Sequence, residues 1–182
     1  SVTSYLSTKR NGLRNVVMFQ LSVKSGLRAK EISSIKWKYV VDSDGSIGDS
    51  INLPNIASKG NSGRIIPLNT ELKKNLVDLL SIRSSKRNFD LDDHVLISEQ
   101  GNPFSPNGVS HFFKRLYSDL GLTGCSSHSG RRTFCTELGR KLSTVGCSIE
   151  DLSRLMGHSS ITVTSRYLQQ NEDGQKKLVN LI

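Results

Sequence analysis

The chain has 182 residues, with 25 lysines and arginines against 16 aspartates and glutamates, which gives a net charge of +9. This length is enough for one domain with a hydrophobic core, and the positive balance favours a polyanionic partner, nucleic acid before an acidic membrane. No apolar run approaches the ~20 residues of a membrane-spanning helix. The three cysteines form no CxxC pair, which is typical of reduced, intracellular thiols rather than of a disulfide framework.

The first half of the chain predicts helices and one β-hairpin. Apolar residues in the range 11–25 predict a helix that ends at Gly26, and a short second helix then passes into a strand near residues 37–41. The runs INLPNIA and RIIPL flank a tip rich in Gly, Asn and Ser, which is typical of a hairpin. Leucines at helical spacing after Thr70 predict the next helix, with Thr70 as its cap.

The second half predicts a brief strand followed by short helices. Residues 94–97 have the pattern of a strand, and a Ser-Pro pair then begins a helix that Gly121 ends. The segment HSGRRTF predicts another helix, and a capping pair in SIED starts the helix that Gly157 stops. A Ser/Thr-rich helix follows, with Tyr167 near its end. Neither an internal repeat nor a linker is visible, so we expect one domain over residues 1–182.

The C-terminal third contains the residues most suggestive of chemistry. His128 and Arg131 are three residues apart, so their side chains are expected on one helix face. His158 follows a helix-ending glycine, and Tyr167 comes nine residues later. Two imidazoles, a guanidinium and a phenol together suit attack on a phosphodiester. Each residue alone has an ordinary explanation, such as a helix cap or a core aromatic with a satisfied hydroxyl, and only the ordered combination indicates a site.

The ordered combination extends over four segments of the chain. They are GLRAKEI, SKGNSGRIIPL, HSGRRTF and LMGHSSITVTSRY, and they resemble, in this order, the catalytic pattern of the tyrosine recombinases, also called phage-type integrases. The resemblance implies an α+β, mostly helical catalytic domain with a small antiparallel β-sheet or hairpin. It also implies a site-specific DNA recombinase or integrase, of the kind found in mobile elements, that cleaves and rejoins DNA through a 3′-phosphotyrosyl intermediate.

The resemblance implies which residues act on the scissile phosphate. Arg28 and Arg131 would hold its non-bridging oxygens, because a planar guanidinium binds two oxygens in a geometry that lysine lacks. Tyr167 would be the nucleophile. A free phenol has a pKa of about 10, so Tyr167 needs help, and His128 would provide it.

Three further residues would assist the reaction. Lys59, at the hairpin tip, would protonate the departing 5′ oxygen, and Arg64 or His128 would be the next candidates for that acid. His158 would hydrogen-bond a phosphate oxygen from near a helix N-terminus, and Glu31 would orient the preceding arginine or a neighbouring group. Because arginine charge takes the place of a metal and the covalent intermediate conserves bond energy, we expect no metal ion, no ATP and no other cofactor.

This sequence departs from the family pattern in two ways. The family often has an acidic and then an apolar residue between the histidine and the second arginine, where this chain has Ser129 and Gly130. A glycine there is expected to weaken the start of the helix by up to ~1 kcal/mol. The family's N-terminal core-binding domain is expected to be absent from this chain, which leaves a single catalytic domain over residues 1–182.

The resemblance also implies partners and a location. The partner would be double-stranded DNA recombination sites, bound by a homo-tetramer that is monomeric when free, with accessory DNA-bending proteins and without a membrane. The protein would be cytoplasmic, nucleoid-associated and encoded by a bacterium or a phage. Two other functions stay open, a type IB topoisomerase-like relaxation enzyme and a non-catalytic DNA-binding regulator with the same fold. An apolar C-terminal cluster is expected to pack on a neighbour or on its own core (Leu178, Val179, Leu181, Ile182).

Overall fold

The computed structural model describes residues 1–57, 62–168 and 180. Eight α-helices occur in this part of the chain: α1 Val2–Ser7, α2 Gly12–Val23, α3 Ala29–Ser34, α4 Thr70–Ser84, α5 Pro106–Asp119, α6 Ser129–Gly139, α7 Ile149–Met156 and α8 Ile161–Ser165. Strands β1 (Ser50–Leu53) and β2 (Arg64–Pro67) pair antiparallel, with Ile51 opposite Ile66. The prediction of a mostly helical α+β fold with a small antiparallel sheet is confirmed.

Two expected features lie outside the described residues, namely Lys59 at the hairpin tip and the apolar C-terminal cluster. Among the helices that the structure does describe, none combines the length and the apolar composition that crossing a membrane requires.

The strands predicted at 37–41 and 94–97 are wrong. Residues Trp37–Tyr39 form a 3-10 turn, because the Val40 backbone N–H donates back to the Trp37 carbonyl. Around these segments the described residues form isolated bridges and no ladder: Lys36 pairs with His94, Val41 with Ile47, and Ile97 with Pro103. Both segments are anchored by burial of Trp37, Val95 and Leu96 rather than by a ladder of hydrogen bonds.

The helix ends largely follow the predicted capping residues. The Ser105 hydroxyl accepts the Gly108 N–H at the start of α5, and Ser148 with Asp151 forms a capping box at the start of α7. Gly157 ends α7 in the left-handed region at φ +60°. One cap differs from the prediction, because the Asn69 side chain, and not that of Thr70, accepts the Glu71 N–H in the first turn of α4.

The buried apolar residues form two separate clusters. The large core joins α1 to α5, the sheet and the segments around them, with Trp37, Phe113 and Met18 among its largest fully buried side chains. The small core lies between α6, α7 and α8 and buries Cys135, Leu152 and Met156, with other residues packed around them (Phe134, Leu138, Leu142, Tyr167).

Gly130 lets the small core approach the large one. A Cβ at this position would overlap the Ser22 hydroxyl and would lie 2.9 Å from a Val23 methyl group of α2. The first turn of α6 therefore packs directly on α2 because position 130 lacks a side chain. The expected effect of Gly130 on helix propensity is thus accompanied by a packing role that the sequence does not reveal.

Candidate active site

Arg28 and Glu31 form a buried pair at the start of α3. The Arg28 backbone N–H donates to Glu31 Oε2 (2.8 Å), and Arg28 Nη1 donates to Glu31 Oε1 (2.8 Å). The Glu31 side chain is 0% exposed and that of Arg28 is 23% exposed. The pair is therefore a buried, directed ion pair rather than a solvated contact on a helix surface.

Arg64 joins the same carboxylate from strand β2. Its Nη1 lies 2.9 Å from Glu31 Oε1 and its Nη2 lies 3.3 Å from Oε2, with the side chain only 7% exposed. Burial alone raises the pKa of Glu31, but the hydrogen bond and charge of Arg64, with the contribution of Arg28, outweigh burial and lower that pKa below its usual value. Glu31 is therefore an anion held between two cations.

Arg131 lies inside the protein, at the third residue of α6. It is 4% exposed, and its Nη1 and Nη2 donate to the carbonyls of Gly26 and Met156. Burial, and after it the nearby charge of Arg28, lowers the pKa of Arg131 to about 10. The guanidinium therefore stays protonated at neutral pH, and its positive charge is buried away from solvent.

The three arginines converge on the C-terminal end of α7. Arg64 Nε donates to the Leu155 carbonyl (2.7 Å), Arg131 donates to the next carbonyl, and Arg28 Nη2 donates to the Gly157 carbonyl (3.0 Å). The last carbonyls of a helix lack partners within the helix and carry its negative dipole end, so cations stabilise them. We call Arg28, Glu31, Arg64 and Arg131, together with this helix end, the arginine frame.

His158 follows the arginine frame directly. Its Nδ1 lies 2.8 Å from the Thr164 hydroxyl, and its ring stacks on that of Tyr167 with centroids 5.8 Å apart and an angle of 16°. Burial, followed by the charges of Arg131, Arg28 and Arg64, lowers the pKa of His158 to about 4. The imidazole is therefore neutral at pH 7. His158 lies before Ser160, the N-cap of α8, rather than within the N-terminus of that five-residue helix.

Tyr167 lies just beyond α8 and packs against the small core. It is half-buried, and its backbone N–H donates to the Thr164 carbonyl (2.9 Å). A cavity of about 480 Å³ opens beside it, and arginines dominate the polar lining (Arg132, Arg140, Arg166, with Thr136 and Val163). Tyr167 therefore lines an arginine-rich cavity and also stacks on His158, the residue that follows the arginine frame.

His128 has a different environment from Arg131. It is the N-cap residue of α6 and is exposed, whereas Arg131 is buried. Within the described part of the chain, no hydrogen bond connects its imidazole to the other predicted site residues. The structure thus brings together Arg28, Glu31, Arg131, His158 and Tyr167, places His128 at the exposed margin, and does not describe Lys59.

Two residues of the site were missed by sequence reasoning. The sequence predicts Arg64 only as an alternative acid, although the two-residue period of a strand puts it on the same face as buried Ile66. Thr164, fully buried against His158, gave no signal beyond its place in a Ser/Thr-rich segment. Over residues 1–57, 62–168 and 180, no group of three or more His, Cys, Asp or Glu side chains could hold a metal ion.

Comparison with known proteins gives consistent matches. The model of the phage integrase family matches residues 2–173. Tyrosine recombinase XerC of Staphylococcus epidermidis is 24% identical over 172 residues, which cover 93% of this chain and 53% of that protein. A probable integrase/recombinase of Acholeplasma phage L2 is 28% identical over 170 residues, with 93% and 54% covered. This chain thus spans about half the length of these relatives.

Solved structures share the fold. The Tn1549 transposon integrase, solved in complex with a circular intermediate DNA, superposes with a TM-score of 0.74 at 20% identity, over 100% of this chain and 62% of that one. The XerA recombinase superposes with a TM-score of 0.72 at 20% identity, over 99% and 59%. At such identities the likeness concerns the fold alone.

Proposed function

This chain belongs to the phage integrase family, and from that membership we propose that it is a site-specific DNA recombinase, which cleaves and rejoins DNA through a 3′-phosphotyrosyl intermediate without a metal ion or ATP. One observation carries the proposal. Two charged arginines, Arg131 buried and Arg28 partly buried, lie around a neutral histidine that stacks on Tyr167. This arrangement combines positive charge that can bind a phosphate with a tyrosine that can attack it from the edge of the site.

Arg28 and Arg131 bind the non-bridging oxygens of the scissile phosphate and stabilise the charge that grows on them in the pentacoordinate transition state. Their geometry is fixed in advance, because the other N–H groups of each guanidinium already donate to protein carbonyls or to Glu31. Neutral His158 adds a hydrogen bond to a phosphate oxygen from Nε2, since Nδ1 is occupied by Thr164.

Tyr167 Oη attacks the phosphorus, and the bond from phosphorus to the 5′ oxygen breaks. His128 accepts the phenol proton from its exposed position at the start of α6, and Lys59 donates a proton to the leaving 5′ oxygen. Rejoining reverses these steps, with the 5′ hydroxyl of a partner strand attacking the phosphotyrosine. Arg64 is a poor candidate for the acid, because its N–H groups are committed to Glu31 and Leu155 and a guanidinium does not give up its proton in proteins.

We infer a wider setting from the same family membership. Residues 1–182 act as a catalytic domain on double-stranded DNA recombination sites, and four copies assemble on two duplexes from monomers that are separate when free. Accessory DNA-bending proteins join that assembly. The reaction takes place in the bacterial cytoplasm, at the nucleoid. The gene belongs either to the bacterium or to a phage. The solved relatives bound to DNA support the choice of partner.

The proposal is tested with a nicked suicide substrate. The duplex is first selected from a randomised library by binding to this protein, and the nick then lets the cleaved end escape, so that the covalent complex accumulates. We expect a protein–DNA adduct that survives a denaturing gel, in the presence of EDTA. Tyr167→Phe removes only the hydroxyl, so it should bind the duplex normally and form no adduct.

Other results would favour the alternatives. Relaxation of supercoiled plasmid without paired sites would indicate a type IB topoisomerase-like enzyme. Tight binding with no adduct from the unmodified protein would indicate a non-catalytic regulator. Adducts that persist in Tyr167→Phe would refute the assignment of the nucleophile and direct attention to the remaining tyrosines (Tyr5, Tyr39, Tyr117).

A further inference from the structure

Arg64 occupies the point where three parts of the site meet. Its backbone belongs to β2, the strand that leads away from the hairpin tip. Its guanidinium contacts the start of α3 through Glu31 and the end of α7 through the Leu155 carbonyl. The side chain is 7% exposed, so these contacts replace water rather than compete with it.

The hydrogen bonds of Arg64 engage all three nitrogens of its guanidinium, and little of the side chain is exposed to substrate. Nε donates to Leu155, Nη2 donates to Glu31, and Nη1 donates to Glu31 and to the Ser62 carbonyl (3.1 Å). A lysine could not reproduce this set, because its donors radiate from one atom whereas a guanidinium directs N–H groups along several fixed lines. Arg64 can therefore act on the reaction only through its neighbours.

Each neighbour of Arg64 is adjacent to a residue of the proposed reaction. Glu31 also holds Arg28, and Gly157, the residue before His158, lies so close that a Cβ there would be 2.8 Å from Arg64 Nη1. On the third side, the base of the hairpin is closed by the Gly63 N–H donating to the Asn55 side chain (2.7 Å). In the sequence, Lys59 comes five residues before Arg64, in the connection between β1 and β2.

We propose that Arg64 is a positioning residue for DNA cleavage: it fixes the base of the hairpin that carries Lys59 against Arg28 and against the Gly157–His158 turn. The inference rests on the proposed function. In this proposal the Arg64 side chain sets the distance between Lys59, the proposed acid, and the groups that hold the phosphate. A misplacement of about 1 Å in such a set can reduce a rate by ~100-fold.

Arg64→Lys is the decisive variant, because it keeps the positive charge beside Glu31 and loses the directed contacts. We expect single-turnover formation of the covalent complex at saturating DNA to be ~100-fold slower, while DNA affinity stays close to that of the unmodified protein. The control is Arg83→Lys. Arg83, at the end of α4, is another poorly exposed arginine, at 13%, and it pairs with Asp93, outside the arginine frame. Its variant should cleave at the normal rate.

A second substrate distinguishes positioning from general damage. With a 5′-bridging sulfur the leaving group departs without a proton, so Lys59→Ala should regain most of its activity on it. The cleavage rate of Arg64→Lys should rise by about tenfold on this substrate, because the misplacement of Lys59 no longer slows departure of the leaving group. An equal loss on both substrates, or a loss of DNA binding in step with cleavage, would mean that Arg64 is merely structural and would overturn the inference.

A double-variant cycle keeps the inference falsifiable if Arg64→Lys lowers stability. Glu31→Gln weakens the same contact from the other partner, so the combined variant should be slowed by less than the product of the two single effects. Multiplicative effects, or an Arg64→Lys protein that cleaves at the normal rate, would overturn the inference. Failure of the unmodified protein to form an adduct on either substrate would instead refute the proposed function.

Discussion

The two cores of this molecule are held together by different forces. The large core is an apolar interior that extends from α1 to α5. The small core buries only Cys135, Leu152 and Met156 completely, yet it carries His158 and Tyr167 at its edge. Besides the packing of α6 on α2 and of Leu155 against the large core, its attachment relies on polar contacts, because the arginine frame binds the last carbonyls of α7.

This difference explains how a small, weakly apolar region can hold Tyr167, the proposed nucleophile, in place. Apolar packing tolerates small sliding movements, whereas hydrogen bonds from a guanidinium to a carbonyl fix direction as well as distance. A buried carbonyl that loses its partner costs about 1–3 kcal/mol, and a buried arginine that loses its partner costs more. The contacts that attach the C-terminal region are thus the ones that shape the proposed phosphate site, so stability and catalysis should respond together there.

Arg131→Ala should show the largest effect of this coupling. Loss of one donor to the developing charge is expected to slow cleavage by roughly 10²–10³-fold, and Arg131→Lys should recover only part of that loss. Because the Met156 carbonyl also loses its partner, amide hydrogens of α7 and α8 should exchange faster while those of α2 do not change.

The matched control for Arg131→Ala is Arg154→Ala, which removes an arginine of α7 that is 79% exposed and pairs with Asp151. It should leave both cleavage at saturating DNA and hydrogen exchange close to normal. Slower cleavage by Arg131→Ala with unchanged exchange in α7 would separate catalysis from attachment and contradict the coupling.

Gly130→Ala tests the direct contact between the two regions. A helical glycine replaced by alanine normally gains stability, but here the new methyl group would overlap Ser22, and overpacking of this kind costs about 1–3 kcal/mol. We therefore expect a net loss in the free energy of unfolding, reduced when Ser22→Ala removes the hydroxyl. Gly108→Ala, in the first turn of α5 with a nearest neighbour at 3.3 Å, should not destabilise the protein.

The effect of acid should be the smallest. His158 has a pKa of about 4 in the folded protein against an ordinary value of 6.5, so the unfolded chain binds more protons between these values. Its contribution to stability is therefore full above pH 6.5 and is lost as pH falls towards 4. Between pH 7 and pH 5 the unmodified protein should lose about 1 kcal/mol more than His158→Gln, a figure that allows for partial solvent exposure. Equal losses would show that this histidine is not held neutral by the arginine frame.

The sequence was most informative where the chemistry is local. Capping residues such as Ser105 and Gly157 act within a few residues of themselves, so their effects could be predicted without knowledge of the fold. The ordered motifs predicted the fold class, and the structure brings Arg28, Arg131 and His158 together as that order implied.

Features that depend on distant contacts could not be predicted in this way. The role of Arg64 requires knowing that β2 passes beside α3 and α7, which are far apart along the chain. The strand expected at 37–41 is replaced by a turn because Trp37 enters the large core, a tertiary effect that outweighs local propensity. The contact between Gly130 and Ser22 is likewise visible only once two helices are docked.

Locating the covalent bond tests the central claim most directly. After reaction with the suicide substrate in EDTA, digestion with nuclease and trypsin leaves a nucleotide on one peptide, which mass spectrometry identifies. Cleavage after Arg166 and Lys176 releases residues 167–176, in which Tyr167 is the single tyrosine. We expect the nucleotide on Tyr167 in that peptide. A nucleotide on Tyr5, Tyr39 or Tyr117, or an adduct that forms only when a divalent metal is supplied, would contradict the account.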